Sequence, residues 1–156
     1  MVSDVGPRLA AIFTAARAGA PMVSHESAEL LAGIGITGDR YARGLGHWSD
    51  PKWPDQQVTL FESEVAAALG TEPGALRRNL VTTGIRLDDL IGQDFRIGGA
   101  LLHGVRHCDP CGYIETLTRP GMAAELASGR GGVRAAILEG GHIAVGDALT
   151  VLGANG

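Results

Sequence analysis

Apolar and polar residues alternate along much of the chain in short runs, and few stretches keep the three-to-four spacing of a helix. Leu9 to Ala15 predicts a first strand, with Ala18 to Pro21 as its turn. Ser27 to Ile36 predicts a second, cut by Gly33 and Gly35 into pieces that bend or bulge. Gln57 to Phe61 is a strand by composition. Glu62 to Leu69 predicts a helix, with acids in its first turn, Val65 and Leu69 one turn apart and Gly70 as the stop. Thr71-Glu-Pro-Gly opens a second short helix ending near Asn79. After a brief apolar turn at Leu87 to Leu90, Asp94 to Ile97 and Ala100 to His107 form a hairpin about Gly98-Gly99. Gly112 to Thr118 and Met122 to Ser128 predict short helices. Val133 to Leu138 and Ile143 to Leu152 predict the last strands, separated by Glu139-Gly-Gly-His142 and punctuated by Gly146-Asp147. Many short strands with glycine corners and a few small helices predict a mainly β (α+β) barrel. Residues 1–156 make one domain, with no repeat and no linker-like tract.

Composition narrows this picture. Glycine supplies 24 of the 156 residues, about twice the usual ~7%, without the period of collagen. The 45% hydrophobic share supports a real core. Thirteen basic against 17 acidic residues leave a net charge of −4, so nothing here marks a nucleic-acid partner. Lys52 is the sole lysine, which argues against pyridoxal phosphate on this chain. No apolar run approaches the ~18 residues that cross a membrane. Asp4 before the first apolar run and Arg17 after it argue against a signal peptide, so a cytoplasmic protein is expected.

Four segments carry candidate chemistry. Cys108-Asp-Pro-Cys111 is a C-x-x-C, suited to disulfide exchange, to half of a zinc site, or to one reactive or metal-binding thiolate. Two buried cysteines acting as small hydrophobes are the plain alternative. Zinc needs two more ligands, and His103 and His107 are the candidates. On a regular strand those two face one side while Cys108 faces the other, which strains a closed site. Arg77-Arg78-Asn79 either complements a helix C-terminus or clamps an anion through guanidinium forks. Gly38-Asp39-Arg40-Tyr41 opens an irregular loop that runs to Pro54, and Gly131-Gly132-Val133-Arg134 permits either a turn or a close approach of backbone to a ligand.

In their order along the chain these pieces resemble the MOSC domain, the module named from the C-terminus of molybdenum-cofactor sulfurases. The likeness includes Gly38-Asp-Arg-Tyr41 followed by Trp48-Ser49, Glu64, Arg77-Arg-Asn-Leu-Val-Thr-Thr-Gly84, Leu90-Ile-Gly92 and Ile97-Gly98. It continues through Pro110-Cys111, Gly131-Gly-Val-Arg-Ala135, Gly140-Gly-His-Ile143 and Gly146-Asp147. The chain looks like a small stand-alone member. The resemblance implies a MOSC-like β-barrel linked to the pyranopterin molybdenum cofactor. It places on Cys111 the cysteine that ligates molybdenum or carries sulfur as a persulfide, with Cys108 as an auxiliary thiol. It gives Arg77, Arg78 and Asn79 the cofactor's phosphate or pterin edge, with Arg40 and Arg134 further out. It also implies an oxidoreductase acting on N-hydroxylated compounds or a sulfurtransferase, partnered by an electron-transfer protein or a cysteine desulfurase. Two other classes stay open: a non-catalytic cofactor- or partner-binding module, and a zinc-stabilised structural domain.

Overall fold

A computed structural model describes residues 6–16, 20–39, 57–70, 78–107 and 132–153. The strands are β1 (Arg8–Thr14), β2 (Val23–His25), β3 (Ser27–Leu31), β4 (Gly35–Ile36), β5 (Val58–Glu62), β6 (Leu80–Thr83), β7 (Asp94–Ile97), β8 (Ala100–His107), β9 (Val133–Glu139), β10 (Gly141–Ala144) and β11 (Leu149–Gly153). One α-helix, α1 (Ser63–Leu69), and a 3₁₀ turn at Leu87–Leu90 complete the described elements. Helix α1 ends where expected, at Gly70, whose φ of 67° is the left-handed cap that glycine adopts without a Cβ penalty.

Eight strands form one mixed sheet in the order β11-β7-β8-β9-β5-β6-β1-β2, and β10-β3-β4 form a smaller antiparallel sheet. Every neighbouring pair in the large sheet is antiparallel except β5 and β6, which run parallel with α1 in the connection between them. The sheet is not closed into the expected barrel. Its far strand β11 pairs along its length with β7. Its tie to β1 is one bridge, Arg8 to Ala148, with Leu9 N–H to the Asp147 carbonyl and Leu149 N–H to the Pro7 carbonyl, each at 2.9 Å, and Gly146 N–H to the Leu9 carbonyl at 2.8 Å.

Strand alternation sorts the two faces of the sheet. Val58 and Leu60 of β5, Leu80 of β6, Phe95 and Ile97 of β7, Leu102 of β8 and Val133, Ala135 and Ile137 of β9 all enter one buried cluster. Burying side chains of this kind contributes roughly 1.5–3 kcal/mol each. Strand β5 is central enough that its other face is buried too, through Thr59 and Phe61.

The break expected from Gly33 and Gly35 within Ser27 to Ile36 separates β3 from β4, which fold back on each other with Leu30 opposite Ile36. The Gly146-Asp147 punctuation likewise separates β10 from β11, which lie in different sheets. One predicted element differs from the fold. The helix expected to reach Asn79 does not: Arg78 and Asn79 lead directly into β6, a strand that the sequence pattern did not indicate. The helices expected at 112–118 and 122–128 lie outside the described residues. Among the described residues, no helix is long and apolar enough to cross a membrane.

Candidate functional site

Asn79 stays out of a helix because the sheet takes its polar groups. Its Oδ1 accepts the Thr59 N–H at 3.1 Å and the Thr59 hydroxyl at 3.2 Å. Its own N–H meets the Thr59 Oγ1 at 3.0 Å, and its Nδ2 donates to the Phe13 carbonyl at 3.1 Å. Phe13 N–H returns a 2.7 Å bond to the Asn79 carbonyl. One wholly buried amide therefore bolts β1, β5 and the entry to β6 together. Asparagine competes for backbone partners wherever it sits, and here the sheet partners win over a helix end.

Register extends this bolt into a row across the sheet. Thr59 on β5 lies opposite Arg134 on β9, and Arg134 lies opposite Arg106 on β8. Since Val58, Leu60, Val133 and Ala135 point into the core, Asn79, Thr59, Arg134 and Arg106 occupy the other face. Cross-strand neighbours on that face, Phe61 and Val81, are also buried. Within this enclosed surface the Nη1 of Arg134 has no solvent exposure and no hydrogen-bond partner. The Thr82 hydroxyl is the other such atom among the described residues, but it sits on the core side, opposite Leu9, and carries no charge. Arg78, just before Asn79, is only 9% exposed.

Gly132 explains why β9 lies so close to β5. Its φ is 99°, and a Cβ there would collide with the Leu60 carbonyl. The close backbone approach expected of Gly131-Gly132 is thus, at Gly132, an approach to β5. Its consequence for the site is to set Arg134 beside Thr59.

A second group of ionisable residues lies around β8. A register shift between Gly104 and Arg106 changes the alternation, so His103 falls opposite Ala136 whereas His107 falls opposite Val133. The two histidines therefore face opposite sides of the sheet, which corrects the shared face expected of a regular strand. Each meets its own carboxylate: His103 Nδ1 with Asp94 at 2.7 Å, and His107 Nε2 with Asp88 at 2.8 Å. The shared-face histidine pair that a zinc site would draw on does not form. Among the described residues, no three His, Cys, Asp or Glu side chains are grouped to hold a metal.

Carboxylates near α1 are divided by their surroundings. The hydrogen bond from His107 and the contact with Arg86 hold Asp88 below its ordinary range. Burial pushes Glu62 up, only partly offset by the Leu87 N–H that it accepts at 3.2 Å. Burial also pushes Glu64 up, but bonds from the Gly84 N–H at 2.7 Å and the Thr83 hydroxyl at 3.0 Å outweigh it and hold that group low. Glu64 accordingly fastens α1 to the end of β6.

Of the residues singled out in the sequence, Asn79 and Arg134 share one face of the sheet, and Arg78 adjoins it in the chain. Arg40, Arg77, Cys108 and Cys111 lie outside the described residues. Thr59 and Arg106 were not singled out. The available signal was weak: a hydroxyl within the apolar run Val58–Phe61, and an arginine near the end of a strand.

A family model described as the MOSC domain matches residues 53–150, a stretch holding Arg77, Arg78, Asn79, Cys108, Cys111 and Arg134 but not Arg40. No curated protein sequence matches the chain at a significant level. Among solved structures, the YuaD protein from Bacillus subtilis has a similar fold, with a TM-score of 0.73 at 18% identity over 96% of this chain and 97% of that one. YiiM from Escherichia coli has a TM-score of 0.67 at 18% identity, over 93% of this chain and 69% of its own. YiiM from Geobacillus stearothermophilus has a TM-score of 0.67 at 16% identity, over 94% and 75% respectively. At such identities the likeness is one of fold.

Proposed function

Because the chain belongs to the MOSC domain family, which is associated with binding of the molybdenum cofactor, we propose that it is a cofactor-holding protein whose working thiol is Cys111. The observation that carries this reading is the family match itself, which spans the basic triplet Arg77-Arg78-Asn79 and the Cys108-x-x-Cys111 segment. The residues present fit the group. A pterin phosphate needs charged donors, and Arg134 offers a buried guanidinium nitrogen with no acceptor of its own. A molybdenum centre takes a soft ligand, and thiolate is one.

In this reading Arg77 and Arg78 hold the phosphate or pterin edge, and Arg40 and Arg134 support them from further out. Asn79 acts through position: its amide is engaged by Thr59 and Phe13, so it fixes where Arg78 leaves the sheet. The working form of Cys111 in this reading is the thiolate, which guanidinium groups beside a thiol favour. As a thiolate it serves as the metal ligand, or it accepts a sulfane sulfur from a cysteine desulfurase and carries it as a persulfide. Cys108 is the auxiliary thiol. When bound, the cofactor supplies a redox-active metal, and an electron-transfer partner would make the protein a reductase of N-hydroxylated compounds.

Molybdenum measured by mass spectrometry in protein from a cofactor-sufficient host tests the ligand role. The wild type should contain metal and Cys111→Ser should lose it. Equal metal in the two proteins would overturn that role. Incubation with a desulfurase and cysteine tests the carrier role, which requires a one-sulfur mass gain that Cys111→Ser does not show.

A further inference from the structure

We infer that Asp39 is a positioning residue for two arginine motifs: its carboxylate and the Asn79 amide anchor Arg40 and Arg78 on one end of β1. Asp39 is wholly buried, and a carboxylate is buried only where its oxygens find donors. Its Oδ1 accepts the Ala15 N–H at 3.0 Å, a contact between segments far apart in the chain. Its own N–H donates to the Ile36 carbonyl at 2.9 Å, closing a turn after β4. Gly38 makes that turn with a φ of 85°, which residues bearing a Cβ rarely adopt.

Both anchors meet the same short stretch of chain. Phe13 donates its N–H to the Asn79 carbonyl at 2.7 Å and accepts the Asn79 Nδ2 at 3.1 Å, and Ala15, two residues on, donates its N–H to Asp39. Between them Thr14 is held by β2, through its hydroxyl to the His25 ring at 2.7 Å and its pairing with Val23. The buried polar residues Thr14, Asp39, Thr59, Arg78 and Asn79 all adjoin this end of β1 or bond to it. Stripping a partner from such a network is costly, so the network holds one arrangement. Arg40 follows the first anchor in the chain, and Arg78 precedes the second. Two motifs distant in sequence thus start from one rigid strand end, as orienting two guanidinium forks on a single ligand requires. The inference deepens the cofactor reading and rests on it for the ligand.

The test compares full-length wild type, Asp39→Ala, Asp39→Asn, Gly38→Ala and Phe95→Leu, all purified from a host that makes the cofactor. Asp39→Asn keeps an acceptor for the Ala15 N–H. Gly38→Ala meets open space but an unfavourable φ, so it disturbs the same turn more gently and serves where Asp39→Ala does not fold. Phe95→Leu thins the core on β7 and is the control for lowered stability alone. Exchange of the Ala15 amide is read by NMR, and molybdenum retained after buffer exchange by mass spectrometry. Asp39→Ala should exchange that amide about tenfold faster and retain about a tenth of the wild-type metal, each the worth of one buried hydrogen bond. Gly38→Ala should shift both readings in the same direction. Asp39→Asn should match the wild type in both, and Phe95→Leu should melt lower yet keep its metal. Unchanged Ala15 exchange in Asp39→Ala, or in Gly38→Ala where that variant stands in, overturns the anchor. Wild-type metal in the anchor variants, or an equal loss from Asp39→Asn or Phe95→Leu, overturns the positioning role and leaves the cofactor reading standing. A wild type without metal sinks the cofactor reading and the inference with it, whatever the exchange shows.

Discussion

Replacing Asn79 by alanine separates a structural role from a ligand-binding one. The substitution removes the acceptor of the buried Thr59 N–H and the donor to the half-buried Phe13 carbonyl. A buried backbone group left without a partner costs roughly 1–3 kcal/mol and a half-buried one less, so the two together cost about 2–5 kcal/mol. At roughly 2–4 °C per kcal/mol for a domain of this size, the melting temperature falls by about 4–20 °C. Urea unfolding should show a lower midpoint at an unchanged slope, because the surface exposed on unfolding is the same. Arg96→Ala, which breaks an exposed pair with Glu139, should cost less than about 1 kcal/mol and calibrates the comparison. An Asn79→Ala loss no larger than that would refute the bolt between β1, β5 and β6. It would return Asn79 to the set of groups that meet the cofactor directly.

Gly104→Ala should be among the most damaging small substitutions, since a Cβ there would collide with the Leu90 carbonyl where β8 meets the 3₁₀ turn. A loss of more than about 3 kcal/mol in thermal or urea unfolding is expected, as for other backbone collisions and overpacking. Glu64 gives a signed pH effect. Its carboxyl sits below the ordinary 4.5 in the fold, so its contribution is complete above that value and is lost as pH falls through the folded value. Glu64→Gln should thus be less stable than the wild type above pH 4.5, by at most about 1 kcal/mol given solvent screening, with the gap closing in acid. Glu62 has the opposite sign, because burial raises its pKa. Stability carried by its protonated form should decline as pH rises through the folded value, and Glu62→Gln should flatten that decline.

Elements with a clean local signal were legible in the sequence. Helix α1 was announced by its acidic start and Gly70, and the β7–β8 hairpin by alternation around Gly98-Gly99. Strand β6 was hidden because four residues after Arg-Arg-Asn carry little period, and what makes them a strand is the long-range pairing of Leu60 with Leu80. The two faces of β8 were misjudged for a similar reason. The shift between Gly104 and Arg106 exists only in the pairing with β9, and one extra residue reverses every later side chain. At the site, Arg78, Asn79 and Arg134 were found through short motifs, whereas Thr59 and Arg106 join them only through the register of β5, β9 and β8. The open edge of the sheet was likewise not written locally. It depends on how few bonds the 146–149 segment makes with β1.

The molybdenum cofactor proposed for this chain would leave two chemical signatures in the purified protein. The most direct measurement is of pterin and molybdenum together, in protein purified from a host that makes the cofactor. Oxidised pterin released from the folded chain is quantified by fluorescence beside the metal by mass spectrometry. A chain that holds the cofactor should contain near-equimolar pterin and molybdenum, both reduced when Arg77 and Arg78 are replaced by alanine. Folded wild-type protein that carries neither would contradict it.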